Sequence, residues 1–93
     1  GRETHAIPIG KNPKPVYPAQ AKYKGWQGRV ILEVEVLSSG TVGFLSTYSS
    51  SGHGTLDQAA IQAIRKWRFT PARLAGIAVS SYIKLPVRFQ LRP

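Results

Sequence analysis

The chain has 93 residues, no cysteine, and 13 Lys+Arg against four acids (Glu3, Glu33, Glu35, Asp57), a formal charge of +9. A single domain of this length buries roughly 60–65% of the surface its unfolded chain exposes, so the core is thin and a deep catalytic cavity is hard to build. Disulfide and thiolate chemistry are excluded, no apolar run approaches the ~18 residues of a membrane span, and the charge favours acidic partners. With 42% hydrophobic and 18% charged residues the chain is globular. It begins at Gly1 without a signal-peptide pattern and reads as a fragment of something longer.

Residues 1–14 carry Pro8 and Pro13 with Gly10 and Asn12 between them, and Pro15 follows. Proline holds itself and its predecessor extended, so this stretch reads as a disordered linker, ordered only where it lies on the domain; the domain proper is expected over 15–93. Pro18 suits the first turn of a short helix reaching Lys24, and Gly25 stops it. From Gly28 to Leu37 the period becomes two. Val30, Leu32, Val34 and Val36 form one face, and Arg29, Glu33 and Glu35 the other. Ser38-Ser39-Gly40 is a hairpin turn, and Thr41–Ser49 pairs back with Val42, Phe44 and Tyr48 toward the buried face. Ser49 to Gly54 is a loop. Thr55 is the expected N-cap, with Gln58 completing a capping box. Leu56, Ala59, Ala60, Ala63, Ile64 and Trp67 then recur at helical spacing, and Pro71 ends the helix by Arg68 or Phe69. Pro71–Gly76 reads as a connector. Val79, Ser81, Ile83, Leu85, Val87, Phe89 and Leu91 then alternate with polar positions in one long strand, where Pro86 is expected to break or bulge the ladder. The sum is an α+β domain of order α-β-β-α-β: a three-stranded antiparallel sheet with two helices packed on one face.

Several segments, in order, resemble the C-terminal periplasmic domain of TonB-type energy transducers over about Pro13 to Leu91. Pro15-Val16-Tyr17-Pro18 followed by Ala21 is similar to the family's entry to its first helix. Gly25-Trp26-Gln27-Gly28-Arg29-Val30 leads into the Val-rich strand, and Ser39-Gly40-Thr41-Val42 makes the hairpin. Ser50-Ser51-Gly52 precedes Leu56-Asp57-Gln58-Ala59-Ala60. The most specific piece is Ala63-Ile64-Arg65-Lys66-Trp67-Arg68-Phe69-Thr70-Pro71-Ala72, and Leu85-Pro86-Val87-Arg88-Phe89 closes the last strand. The resemblance implies a periplasmic domain at the far end of a rod, held to the inner membrane by an N-terminal helix outside this sequence and moved by proton-driven motor proteins. It also implies a grip on the TonB box of outer-membrane TonB-dependent transporters, with import of iron-siderophore, haem or cobalamin as the result. One departure stands out: Lys14 occupies a position where the best-known members carry Gln.

An uncovered sheet edge offers a row of unpaired N–H and C=O groups to which an extended peptide adds as another strand. The expected pairing edge is Val79, Ser80, Ser81, Tyr82, Ile83, Lys84, Leu85 and Val87. Pro15, Val16, Tyr17 and Pro18 would flank the bound peptide, while Lys14, Lys84 and Arg88 would meet acidic residues of a receptor plug. The same edge invites strand-exchanged homodimers.

Other constellations are weak. Glu33 and Glu35 form a solvated strand face rather than a paired-carboxylate site. Ser51, His53 and Asp57 lie too close in sequence, with no oxyanion hole, to make a hydrolytic triad. His5 and His53 lack a ligand cluster, so no metal or cofactor is expected and no enzyme activity is assigned. Trp67 and Phe69 read as core, and Tyr17 reads equally as a staple between the first helix and the sheet. A rival reading is a basic adaptor binding peptidoglycan or nucleic acid through the +9 surface, with Lys22, Lys24, Arg65, Lys66 and Arg68 as contacts. Nucleic acid is not expected, because the basic residues are scattered and no groove-reading helix stands out.

Overall fold

Valine-rich alternation at the middle of the chain organises the computed structural model, which describes residues 2–92. Ten elements follow in order: β1 (Glu3–Thr4), β2 (Ile7–Pro8), α1 (Ala19–Lys24), β3 (Gly28–Val36), β4 (Val42–Ser49), α2 (Gly54–Ile64), β5 (Phe69–Thr70), β6 (Ala72–Leu74), β7 (Ile77–Val79) and β8 (Ser81–Phe89). The main sheet has the order β4-β3-β8 and is antiparallel throughout. Val30, Leu32, Val34 and Val36 of β3 are fully buried, against Ala21 of α1 and Leu56, Ala60 and Ile64 of α2. Two helices on one face of a three-stranded antiparallel sheet is the architecture the periodicity predicts.

The short helix α1 closes as expected. Pro18 is its N-cap, and Gly25 takes φ 71 beyond its last turn. Gly25 N–H donates to Lys22 O (3.1 Å) and Trp26 N–H to Ala21 O (2.8 Å), which is the Schellman pattern that glycine permits without a Cβ penalty. Gly40 does the same work in the β3–β4 hairpin. Its φ is 85, and a Cβ there would lie 2.4 Å from Phe69 O, whose own N–H donates to Gly40 O (2.8 Å).

Strand β4 departs from the expected phase. Val36 pairs with Val42 but Val34 with Leu45, so Gly43 and Phe44 together face the single residue Glu35. An extra residue of this kind is a β-bulge, and it flips every side chain beyond it. Val42 and Leu45 therefore pack on the core, whereas Phe44 and Tyr48 are exposed (50% and 58%) instead of buried as predicted. The orphaned Phe44 N–H donates to Glu35 Oε1 at 2.9 Å.

Helix α2 starts and ends early. Its N-cap is His53, without a side-chain cap bond, and Thr55 lies inside the helix, so no Thr55–Gln58 capping box exists. After Ile64 the bonds tighten to Lys66 N–H on Ala63 O and Trp67 N–H on Ile64 O, as the last turn of a helix commonly does.

The stretch expected as a disordered linker is instead held to the domain. Glu3–Thr4 pairs with Arg73–Leu74, and Ile7–Pro8 pairs with Phe69–Thr70. Ala6 between them is buried. Asn12 clamps both backbone groups of one residue: its Nδ2 donates to Arg68 O (2.8 Å) and its Oδ1 accepts from Arg68 N–H (2.8 Å). Trp67 Nε1 donates to Pro13 O at 2.7 Å. The supposed connector is also structured. β6 and β7 form a hairpin in which Leu74 faces Ile77 across Ala75 (φ 52) and Gly76 (φ 81). Positive φ at both turn residues is the type I′ pattern.

An alanine at φ 52 carries the steric cost of the left-handed region, on the order of 1 kcal/mol. Ala75→Gly should therefore leave the hairpin intact and raise Tm by about 4–8 °C per kcal/mol recovered, read by thermal denaturation followed by circular dichroism. An unchanged or lower Tm would mean that the hairpin is not strained at this residue.

Candidate functional site

Two strands bound the main sheet, β4 and β8. β4 is interrupted by register shifts after Ile31 and Val34 of its partner, and such shifts blunt an edge. β8 is regular: all nine residues, Ser81–Phe89, pair one to one with Val36–Gly28. Pro86 faces Ile31 within that register, with no bulge, so the predicted break in the ladder is absent.

The reason lies in which way each peptide unit points. Leu37 N–H donates to Thr41 O (2.9 Å), so odd-numbered residues of the β3 strand direct their backbone groups at β4. Even-numbered residues, Gly28 to Val36, then direct theirs at β8. Their partners Ser81, Ile83, Leu85, Val87 and Phe89 complete those bonds. Tyr82, Lys84, Pro86 and Arg88 point their backbone groups away from β3, into the open. Proline is tolerated because the position it fills donates nothing to β3. The open edge thus presents N–H groups from Tyr82, Lys84 and Arg88, and C=O groups from all four.

This phase divides the residues expected at the site. Tyr82, Lys84 and Arg88 offer backbone outward and exposed side chains. Ile83, Leu85 and Val87 are half-buried or buried and spend their backbone groups on β3. Ser81 likewise turns inward, and its buried Oγ has no hydrogen-bond partner. Val79 does not belong to this edge: it pairs with Ala72 in the β6–β7 hairpin, and Ser80 is the break between the two strands. Pro86, set aside as an obstacle, contributes a carbonyl. Its shared phase with Tyr82 and Lys84 was visible in the alternation; the direction of that phase was not.

The N-terminal set also divides. Tyr17 lies edge-on to Phe89 at the end of β8 (5.3 Å between centroids, 88°), and its hydroxyl donates to Trp26 O. Tyr17 is the staple between the entry to α1 and the sheet. Lys14, Val16 and Pro18 instead border a groove of about 390 Å3 against Ala59 and Ala63 of α2 and Lys66 just beyond it. Pro15, between them, is half-buried. Val16 is 78% exposed. On the outer sheet face, Lys84 Nζ sits 4.2 Å from the Tyr48 ring centroid, and Phe44 and Tyr82 are 6.3 Å apart.

The Ser51/His53/Asp57 group is a structural latch. Asp57 Oδ2 accepts from Ser50 Oγ, and Oδ1 from Ser51 N–H (2.9 Å) and Ser51 Oγ (2.8 Å). The His53 ring stacks on Trp26 instead (4.9 Å, 13°), so no nucleophile–base pair forms. Burial by itself raises the Asp57 pKa, but the hydrogen bonds from Ser50 and Ser51 and the nearby His53 outweigh it and hold the carboxyl below its ordinary value. Among the described residues no cluster of His, Cys, Asp or Glu fits a metal ion, and no helix is long and apolar enough to cross a membrane.

A family model described as Gram-negative bacterial TonB protein C-terminal matches residues 13–91. Protein tonB2 of Pseudomonas aeruginosa is 42% identical over 80 residues, 86% of this chain and 30% of that protein. Protein TonB of Vibrio cholerae is 38% identical over 78 residues, 84% of this chain and 32% of that protein. The solution NMR structure of the Pseudomonas aeruginosa TonB CTD superposes with a TM-score of 0.79 at 27% identity, covering 97% of this chain and 90% of that one. The chain spans about a third of the length of these curated relatives.

Two outcomes follow from the packing. Asp57→Ala strands the Ser51 N–H and should cost about 1–3 kcal/mol near neutral pH. Because the folded-state pKa is depressed, the stabilisation is present above the ordinary value of 3.8 and is lost as pH falls through the lower folded-state value. Urea denaturation should therefore separate variant from wild type more widely at about pH 7 than at about pH 2. Ser81→Ala removes an unpartnered buried hydroxyl and should leave stability unchanged or raise it by roughly 1 kcal/mol; a clear loss would reveal a hydrogen bond to Ser81.

Proposed function

The chain belongs to the family of Gram-negative bacterial TonB C-terminal domains, and from that premise we propose that it is the periplasmic coupling domain of an energy transducer. It binds the TonB box of outer-membrane TonB-dependent transporters by strand addition to the outward edge of β8. In the full-length protein an N-terminal helix anchors it to the inner membrane, where motor proteins draw on the proton gradient. The coupling drives import of iron-siderophore, haem or cobalamin. The domain grips and releases; it performs no catalytic step.

The observation that carries this reading is the regular nine-residue pairing of β8 with β3. That register leaves alternate backbone groups of Tyr82, Lys84, Pro86 and Arg88 without a partner strand. About five backbone hydrogen bonds at ~1 kcal/mol net each, with flanking contacts, correspond to roughly micromolar to millimolar affinity. Weak binding suits a coupler that must let go. A pull along the strand loads those bonds together in shear, so resistance to force exceeds what the affinity suggests. Backbone bonding also demands little of the partner's sequence, which fits one transducer serving several receptors. Tyr17, at the Phe89 end of β8, borders the bound segment. Lys84 and Arg88 face acidic residues of the plug, while Lys14 and Val16 extend the contact onto the groove beside α2.

Lys84→Pro tests the edge selectively. Like Pro86, a proline at Lys84 takes nothing from the β3–β8 ladder but removes one outward N–H. In an NMR titration of the 15N-labelled chain with TonB-box peptides of candidate transporters, shifts should concentrate on Ser81–Arg88. The Lys84→Pro variant should bind about fivefold to tenfold more weakly, with Tm within a few degrees of wild type. Identical isotherms for the two proteins, with shifts elsewhere, would remove β8 from the interface.

A further inference from the structure

Arg29 of β3 and Arg88 of β8 face each other directly. Their neighbours Val30, Val87 and Phe89 are buried, so alternation sends both arginines to the outer face, where both are exposed. Like charges directly opposite one another on a sheet face repel and destabilise the pairing. Neither guanidinium has a hydrogen-bond or ion-pair partner among the described residues. The four acids are committed or distant. Glu35 accepts Phe44 N–H, and Asp57 holds Ser50 and Ser51. Glu33 faces Lys84, about 13 Å along the strand from Arg29, and Glu3 belongs to β1. Among the described residues no acid compensates the repulsion.

The two arginines border a concavity of about 290 Å3 with Gln27, Gly28, Phe89 and Gln90. Gln27 Oε1 accepts Leu91 N–H at 2.6 Å, which fixes the side chain and leaves its amide N–H groups without a protein partner among the described residues. The site is rich in donors and suits an anion. Two guanidinium groups offer the planar, two-pronged geometry that a carboxylate accepts. Arg88 also belongs to the outward phase of β8, so a strand added there sets one of its own side chains beside Arg88 on the outer face.

We propose that Arg29 and Arg88 form a carboxylate clamp that recognises an Asp or Glu side chain of an acidic partner peptide, and thereby sets the register of the strand added to β8. The clamp rests on the strand-addition reading. Backbone bonding alone leaves an added strand free to slide by two residues; one acid held by two arginines fixes it. The position on an open strand edge favours a peptide side chain over a phosphate.

Two designed nine-residue peptides of Thr, Val and Ser test it, acetylated and amidated, one with a central Glu and the other with Gln. The 15N-labelled chain is titrated with each, as wild type, Arg29→Gln and Arg88→Gln. The Glu peptide should bind wild type about tenfold more tightly than the Gln peptide. Each variant should bind both peptides alike, at the Gln-peptide level, and without peptide should melt at or above the wild-type Tm. Equal affinity of the two peptides for wild type, with shifts along Ser81–Arg88, would overturn the clamp and leave strand addition standing. Absence of β8 shifts with either peptide would overturn both. A lower Tm in the variants would assign the pair to the fold, and stronger perturbation of the arginine Nε–Hε signals by inorganic phosphate than by acetate would make the site a phosphate site; either result overturns the proposal.

Discussion

The central strand has to divide its hydrogen bonds between two neighbours, and nearly everything else in the domain follows from how it does so. Odd-numbered residues of β3 serve β4 and even-numbered residues serve β8, a phase set where Leu37 N–H meets Thr41 O. The same alternation buries Val30, Leu32, Val34 and Val36 under the helices. One strand therefore fixes the core, the orientation of the helices and the identity of the exposed edge groups. Changing its register by one residue would turn four valine and leucine side chains into solvent.

A thin core makes peripheral fastening important. The small residues Ala6, Ala21, Ala60 and Ala72 let backbone segments approach closely but bury little area each. Directional bonds supplement them. Asn12 ties the N-terminal segment to Arg68, Pro13 ties it to Trp67, and Asp57 ties the serine loop to the start of α2. These polar latches lie at the seams between elements, where apolar area is scarcest.

The strand and helix periods were legible in the sequence wherever one face is buried and the alternation is unbroken. Residues of β3 and β8 declare their inward sets plainly, and Gly25 announces the end of α1. What was not legible depended on partners distant in sequence. Nothing local to Gly43 and Phe44 signals a bulge, because the bulge is defined by the single residue Glu35 facing them both. Ile7 and Pro8 look like linker until Phe69 and Thr70 arrive to pair with them. The candidate edge shows the same division. Its strand could be read from alternation, but the outward phase of Tyr82, Lys84 and Pro86, and the meeting of Arg29 with Arg88, required the register.

Pro86 has a consequence for crowding. Suppose a second copy of β8 approaches the first, antiparallel, using all four outward residues. Tyr82 then meets Arg88, and Lys84 meets Pro86, so each Lys84 carbonyl faces a nitrogen with no hydrogen. Two bonds at the centre of the seam go unmade, in a sheet whose exposed strand would otherwise template its own copies. A foreign strand escapes that symmetry, since it can bring its own donors and place its gaps elsewhere. The imino acid in the middle of the edge thus discourages self-pairing while leaving the same row of carbonyls open to a different chain.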